Sequence, residues 1–319
     1  MALPRVMAFP IPESAEPLMA DAPSTDTLST WLALQRPALF RYCARMTGSV
    51  SDGEDAVQDT LLKTVQTFPG FEVLVDPKAW LFRVAHNAAI DILRARQRAP
   101  QALGDELLEA FVDPAASSDS HWVARSALRH FMWLTPSERS CVVLMDVLDY
   151  TLQEIAAITG KSTLAVKSAL HRGRTRLKEV AESPDELPPL DAGALLLLDL
   201  YAQRFNARDF EGVRALLSHD VQLDLVGRTK LKGKTDVGSY VGRYGSSDDW
   251  RFVPGVVEGQ AAIIVIDPRD ANRPPLYFVL LRLEGGLVAH IRDFRYARYA
   301  GEGVDWAATF PAAGATPSA

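Results

Sequence analysis

The chain has 319 residues, which is enough for two or three domains, and its 48% hydrophobic and 23% charged residues are typical of a globular protein with sizeable cores. Its two cysteines, Cys43 and Cys141, lie in apolar segments without CxxC spacing, which excludes a disulfide framework and argues against a zinc site. The longest apolar run, residues 192–198, is too short to span a bilayer, and the N-terminus lacks the pattern of a signal peptide. We therefore predict a cytoplasmic protein with no membrane partner and no metal or cofactor.

The net charge of −6 is distributed unevenly along the chain. Residues 99–120 hold five acids and no Lys or Arg, whereas residues 31–98 and 121–183 each carry a small excess of cations. An acidic linker therefore separates two mildly basic modules. Nucleic-acid binding depends on local clusters of charge, so the negative total does not exclude it.

The first module is predicted to be helical and to follow a disordered tail. Residues 1–27 are rich in Pro, Ser, Thr and Ala, a composition typical of disorder. Within residues 28–98, the spacing of apolar residues predicts three helices, at 31–47, 51–68 and 76–98. Ser51 or Asp52 would cap the second of them.

The second module, residues 121–182, carries the most informative motif of the chain. Helices are predicted at 121–133 and 136–148, and two more surround a turn at Gly160. Thr135 with Glu138, and Thr151 with Glu154, have the spacing of helix-capping residues. In the last helix the predicted packing stripe comprises Val166, Ala169, Leu170, Gly173 and Leu177.

The last helix of this module is strongly basic. Residues 161–178 contain six Lys or Arg and no acid, which suits the major groove of DNA and its phosphates. Taken alone, such a helix is explained equally well as a solvated surface or as part of a helical hairpin. The motif is therefore a candidate DNA-reading helix-turn-helix whose function depends on its neighbours.

The pattern changes after a proline-rich hinge at residues 183–191. Two helices are predicted, at 192–207 and 209–217, and from Val221 onward β-rich segments alternate with turns. Gly285 and Gly286 mark a hairpin. Helices followed by mostly antiparallel strands indicate an α+β domain. We assign it to residues 192–300, with a flexible C-terminal tail at 301–319.

Three motifs in the first two modules resemble the extracytoplasmic-function (ECF) class of bacterial RNA polymerase sigma factors. DGEDAVQDTLLKTV (52–65) is similar to the helix by which sigma region 2 binds core polymerase. AWLFRVAHNAAIDILRARQR (79–98) is similar to the helix that reads the promoter −10 element, and residues 134–179 are similar to region 4, which reads the −35 element. The resemblance implies a protein that binds core RNA polymerase and promoter DNA and catalyses no reaction.

The resemblance also implies which residues make each contact. The clamp coiled coil of core polymerase would be bound by Asp55, Gln58 and Asp59, unless these simply form a solvated first turn, and region 4 would lie against the polymerase flap. The −10 element would be contacted by Trp80, Arg83, Asn87, Arg94 and Arg96, although Trp80 is more simply explained as a core residue. The −35 element would be contacted by Lys167, Ser168, His171, Arg172, Arg174 and Arg176, the last two on phosphates.

The C-terminal domain resembles the SnoaL-like domains of the nuclear transport factor 2-like superfamily, through LLLLDLYAQRFNARDFEGVRALLSHDVQLDLVG (195–227). The resemblance implies a curved sheet wrapped by helices around a cone-shaped cavity, which would offer a site for a small ligand. It also implies regulation of the sigma modules in cis. Some related proteins have a DGGGR-like segment where this chain has LVGRTKLKG (225–233), which is a departure from the pattern.

Two other functions stay open. A one-component, ligand-responsive regulator would use the helix-turn-helix as its only output, and it would not need the core-binding and −10-like helices. An isomerase-like or hydratase-like enzyme would use the C-terminal domain. Its titratable candidates are Asp224, His219, His290, Asp293 and Tyr240, but no spacing among them pairs a base with its partner.

Overall fold

The computed structural model describes residues 25–98, 123, 126–181, 190–270, 274–302 and 304–308. The acidic linker, almost all of the N-terminal tail and most of the proline-rich hinge lie outside the described residues. Two helical modules are followed by an α+β domain, so the predicted fold class is confirmed.

The first module is a bundle of three helices: α1 (Thr25–Thr47), α2 (Val50–Thr67) and α3 (Pro77–Arg98). The predicted cap of α2 was wrong. Ser49 has an extended backbone and its hydroxyl accepts a hydrogen bond from the Asp52 N–H at 3.3 Å, whereas Ser51 and Asp52 lie inside the helix. The reason is Gly48, whose φ of +67° ends α1 abruptly and starts the next helix two residues earlier than expected.

Of the helix predicted at 121–133, Val123 is helical, residues 121–122 and 124–125 lie outside the described residues, and Leu128–Trp133 form a 3-10 helix in place of a continuous regular helix. Ala127 breaks that pattern because its ψ of 148° is extended. The module continues with α4 (Pro136–Val142), which widens into a π-helical turn at Val143–Val147. It ends with α5 (Leu152–Thr159) and α6 (Thr163–Ala181).

The helix-turn-helix has the predicted local structure. Capping boxes are present at Thr135 and at Thr151, and Gly160 adopts the left-handed conformation with φ of +69°. The predicted packing stripe of α6 is buried throughout. A Cβ atom at Gly173 would lie 2.7 Å from Val142 Cγ2, so this position requires glycine for the close approach of α6 to α4.

The two helical modules share one hydrophobic core. A buried polar cluster joins them, in which the Tyr42 hydroxyl lies 2.8 Å from both His86 Nδ1 and Ser140 Oγ. Arg139 also joins them, since its guanidinium donates to main-chain carbonyls of the 3-10 segment and to the Met46 carbonyl at the end of α1. In this structure the modules are therefore packed against each other.

The His86 contact makes a pH-dependent contribution to stability. Burial, with the nearby charge of Lys161, lowers the pKa of His86. Its contribution is therefore fully present above the ordinary histidine pKa of about 6.5 and is lost as the pH falls below it. Between about pH 7.5 and about pH 5.5, we expect the thermal unfolding midpoint of the wild type to fall more than that of His86→Gln.

The comparison needs the His86→Gln variant because burial also lowers the pKa of His290, which titrates in both proteins. The midpoints are measured by circular dichroism at several pH values. Equal pH dependence in the two proteins would contradict the assignment to His86.

The C-terminal domain contains α7 (Ala192–Asn206), α8 (Phe210–Ala215) and α9 (Lys234–Gly242) with a seven-stranded sheet. Its strands are β1 (Leu217–Leu225), β2 (Thr229–Lys232), β3 (Arg251–Val257), β4 (Gln260–Ile266), β5 (Tyr277–Glu284), β6 (Leu287–Asp293) and β7 (Trp306–Ala308). The strand order is β2-β1-β6-β5-β4-β3-β7, with β1 and β6 parallel and the other neighbours antiparallel. The predicted hairpin joins β5 to β6, with Gly285 and Gly286 at φ of +58° and +74°.

The last strand corrects the predicted C-terminal boundary. β7 pairs with β3 at the edge of the sheet, so residues 306–308 belong to the folded domain and not to a tail. Asp305 strengthens this end, since its carbonyl accepts a 2.7 Å hydrogen bond from the Glu258 N–H. Residues 309–319 lie outside the described part of the chain.

The two faces of the sheet have different roles. The inner face packs against α7–α9 around Phe205, whose ring stacks on Phe252 at 4.4 Å and contacts several other aromatic rings. The outer face joins the buried cluster of the helical modules through Val253, Ile264, Phe278, Leu280 and Phe294. Because successive strand residues point to opposite faces, one sheet builds both its own core and an interface with the rest of the chain.

Candidate nucleic-acid and polymerase interfaces

The recognition helix α6 presents three predicted −35 readers on its outer side. Lys167 and Ser168 are exposed, and His171 is half-buried one turn further on. The Ser168 hydroxyl donates to the Leu164 carbonyl at 3.1 Å, a bond that an exposed hydroxyl can exchange for a base or phosphate. These side chains lie opposite the buried stripe and can reach a groove without disturbing the core.

The other three predicted −35 contacts are ion-paired within the second module. Arg174 makes two hydrogen bonds to the buried carboxylate of Asp146, and these raise the pKa of Arg174. Arg172 and Arg176 both bond Glu138, at 3.1 Å and 2.8 Å. These arginines hold α6 against α4. Base contact by Arg172 and phosphate contact by Arg174 and Arg176 stay predictions; the side chains of Arg172 and Arg176 are 56% and 31% exposed.

The predicted −10 surface on α3 is partly covered by the second module. Arg83 donates to the Ala157 carbonyl at α5, and the Lys78 ammonium lies 4.6 Å from the centre of the Tyr150 ring. Asn87 is exposed. Trp80 is half-buried, with its ring 5.6 Å from that of Phe68, which favours the core interpretation of this residue.

Arg94 and Arg96, at the end of α3, differ in their partners. Arg94 lies 3.7 Å from Asp91 on the same helix and is largely exposed. Arg96 pairs with Asp52 and donates to the Thr47 carbonyl at 3.0 Å, so it connects α3 to the start of α2. Of these two arginines, Arg94 is the more available to DNA.

The predicted polymerase-binding face of α2 is only partly free. Asp59 is exposed, but Asp55 is ion-paired with Arg292 of strand β6. The Gln58 amide lies 3.5 Å from the carboxylate of Glu54, which is fully buried and paired with Arg36. Burial raises the pKa of Glu54, while the charge of Arg36 opposes that shift.

Several residues of the C-terminal domain reach the helical modules, and sequence reasoning found none of them; among them are Arg292, Tyr299, Glu258, Glu302 and Asp305. Arg292 binds Asp55, the Tyr299 hydroxyl donates to Glu54 at 3.2 Å, and the Glu258 carboxylate accepts from the Leu128 N–H at 3.1 Å. Glu258 thereby caps the 3-10 helix at the start of the second module. These pairs are separated by more than 100 residues in the chain, so no local spacing could have indicated them.

The titratable candidates of the C-terminal domain do not form one site. Asp293 is buried on the inner face, where its carboxylate accepts from Tyr240 at 3.0 Å and from Tyr244 at 2.7 Å, and burial raises its pKa. Asp224 and His290 lie on the outer face of the sheet, opposite to Asp293, and His219 is exposed. Among the described residues, no group of His, Cys, Asp or Glu could hold a metal ion, and no helix is long and apolar enough to cross a membrane.

Two family models match the helical modules: sigma-70 region 2 over residues 31–99 and sigma-70 region 4 over residues 134–177. The fold and the two candidate interfaces thus define a sigma-70-type protein. The chain is 32% identical over 165 residues to the RNA polymerase sigma-E factor of Streptomyces avermitilis, covering 52% of this chain and 88% of that one. The chain belongs to the ECF RNA polymerase sigma factors.

A further relative extends into the C-terminal domain. The ECF RNA polymerase sigma factor SigG of Mycobacterium tuberculosis is 28% identical over 293 residues, covering 81% of this chain and 78% of that one. Among solved structures, the M. tuberculosis sigma factor SigJ is 20% identical with a TM-score of 0.33, covering 86% of this chain and 99% of that one. A putative ketosteroid isomerase from Kribbella flavida is 20% identical with a TM-score of 0.25, covering 31% and 75%.

Proposed function

We propose that this sigma factor binds core RNA polymerase through α2, reads promoter −35 and −10 elements through α6 and α3, and is regulated in cis by its SnoaL-like domain. The observation that carries the proposal is the outer side of α6, where Lys167, Ser168 and His171 project from a helix whose opposite side is buried. The protein acts in the cytoplasm as a transcription factor and not as an enzyme.

Base reading is assigned to Lys167, Ser168 and His171, because they lie on the outer side of α6, where Lys167 and Ser168 are exposed. Lysine can bond the guanine acceptors O6 and N7 in the major groove. Arg172, whose side chain is 56% exposed, is also assigned to base reading, and Arg176 supplies a phosphate contact from the edge of the same helix. Arg174 is assigned to holding α6 in place, because its carboxylate partner Asp146 is buried.

The −10 contacts are assigned to Asn87, Arg83 and Arg94 on α3, since an amide and guanidinium groups can bond base edges and phosphates. In the packed arrangement Arg83 is occupied by the Ala157 carbonyl. Reading two separated promoter elements therefore requires α3 and α6 to move apart. Asp59, Gln58 and Asp55 supply the polar face for the polymerase clamp.

Regulation in cis is supported by the contacts of the C-terminal domain with both helical modules. Arg292 and Tyr299 reach α2, and Glu258 reaches the start of the second module. A domain that touches both modules can control their separation.

The test is transcription in vitro with core polymerase, comparing the full chain with a chain that ends at Leu190. We expect both to support promoter-specific transcripts and the truncated chain to differ strongly in yield, because it lacks the interdomain contacts of Arg292, Tyr299 and Glu258. Circular dichroism checks that the truncated chain is folded. Identical yields would contradict regulation in cis. Promoter binding without any polymerase-dependent transcript would favour a one-component regulator.

A further inference from the structure

Three of the polar contacts between the C-terminal domain and the helical modules, those of Arg292, Glu54 and Glu258, share an unusual feature. In each of these three, the charged group at the interface also has a partner within its own part of the chain. Two further pairs, Arg41 with Glu302 and Arg129 with Asp305, are more exposed to solvent. Arg292 bonds Asp55 and Ser51 of the first module, yet it also lies 3.2 Å from Asp224 on the neighbouring strand β1. Asp224 and Arg292 are directly opposite each other in the sheet.

The other two contacts follow the same rule. Glu54 accepts from Tyr299 of the C-terminal domain, but its ion-pair partner Arg36 belongs to the first module. Glu258 accepts from the Leu128 N–H across the interface, and at 2.7 Å from the Asp305 N–H within its own domain. If the interface opens, none of these buried charges loses its last partner.

Because these charged groups have partners on both sides of the interface, breaking their polar contacts between the C-terminal domain and the helical modules costs little free energy. A buried charge left without a partner destabilises a protein strongly, whereas a charge that keeps one hydrogen-bonded partner does not incur that penalty. Contacts within the helical modules are different, since Arg139 has only carbonyls of those modules as partners. These three interdomain contacts can therefore open and close repeatedly, whereas the contacts of Arg139 inside the helical modules are expected to stay closed.

Asp55 can also exchange Arg292 for another cationic partner. Its side chain is 48% exposed, whereas that of Arg292 is 7% exposed, so an incoming cation can approach Asp55 from solvent. Asp55 lies on the α2 face assigned to core polymerase, beside the exposed Asp59. While the C-terminal domain is docked, Arg292 of β6 bonds both Asp55 and the Ser51 carbonyl, so this domain covers the start of the α2 face that the polymerase clamp would need.

We propose that Arg292 makes docking of the C-terminal domain and binding of core polymerase mutually exclusive, and that Asp224 retains Arg292 when polymerase takes Asp55. The closed arrangement is then the state that polymerase must open. The inference rests on the proposed function, in that α2 is the polymerase-binding helix. It also sets the direction of regulation: the C-terminal domain restrains polymerase binding.

The test uses full-length protein and measures its affinity for core polymerase by fluorescence anisotropy. Arg292→Gln removes the charge that holds Asp55, so we expect binding to tighten about tenfold. Asp224→Asn has the opposite effect, because Arg292 would then have no carboxylate in the open state, and we expect binding to weaken about three- to tenfold. A residue that merely supported the fold would not give effects of opposite sign.

Matched controls are available on the same sheet. Arg282→Gln removes an exposed arginine of β5 that pairs with Glu284, and Lys230→Gln removes the other cation near Asp224, at 3.7 Å. Neither control should change the affinity by more than about twofold. Thermal melts check that all four variants are folded.

Unchanged affinity in both test variants, or a change of the same sign in both, would overturn the inference. Either result leaves the proposed function intact as long as the wild type still binds polymerase and yields promoter-specific transcripts. Absence of any polymerase binding by the wild type would instead contradict the proposed function itself. The two failures are therefore distinguishable in one set of measurements.

Discussion

Replacing both Lys167 and Arg172 by alanine is expected to weaken promoter binding by about 1–3 kcal/mol for each residue, or roughly 5–150-fold each in Kd. Lys167 is exposed on the outer side of α6, where its ammonium can reach base acceptors. The affinity is measured by mobility shift on a promoter fragment with a full-length holoenzyme. An unchanged footprint in the double variant would rule out α6 as the −35 reader.

The single variants separate two ways in which the double variant could lose affinity. Lys167→Ala should act on DNA alone, whereas Arg172→Ala also removes an ion pair with Glu138 that holds α6 against α4. Arg176→Ala, which shares Glu138, should weaken binding similarly on all sequences and reduce its salt dependence. Arg269→Ala, an exposed arginine of the C-terminal domain paired with Asp248, is the control and should have no effect.

Replacing Arg139 by methionine is expected to lower the free energy of unfolding by about 3 kcal/mol or more, the largest effect on stability that we predict. Its guanidinium donates to the carbonyls of Phe131, Met132, Leu134 and Met46. Methionine fills similar space but would leave these buried acceptors without a donor. Burial lowers the pKa of Arg139 to about 10, so it stays protonated under ordinary conditions.

Urea denaturation followed by circular dichroism measures this change. Arg94→Met is the control, because Arg94 is largely exposed and its ion pair with Asp91 lies at the surface, and it should cost less than about 0.5 kcal/mol. If Arg139→Met were as mild as the control, Arg139 would not be the residue that ties the end of α1 to the second module.

Much of the local structure was predictable because it depends on residues close together in sequence. The helix-turn-helix followed from the Thr151–Glu154 cap, the turn at Gly160 and the apolar period of α6, and all three are confirmed. The β5–β6 hairpin followed in the same way from two glycines at positive φ. The motifs in α2, α3 and region 4 were sufficient to recognise a sigma factor, since a family's functional surfaces occupy consecutive turns of single helices.

The partners of the charged side chains were not predictable, because a residue's sequence neighbours do not show which distant group it meets. From the sequence, Arg174 is predicted to contact DNA and Asp55 to contact polymerase. In the folded chain, Arg174 is ion-paired with Asp146 and Asp55 is ion-paired with Arg292. The 3-10 helix at Leu128 likewise depends on a carboxylate from Glu258, 130 residues away. Periodicity and capping are properties of the local backbone and therefore appear in the sequence, whereas long-range ion pairs exist only after the chain has packed. For this protein, the local patterns determined its class and the helices predicted to read DNA, and tertiary packing alone decided that Asp55, a predicted polymerase-binding residue, is held by the C-terminal domain of the same chain.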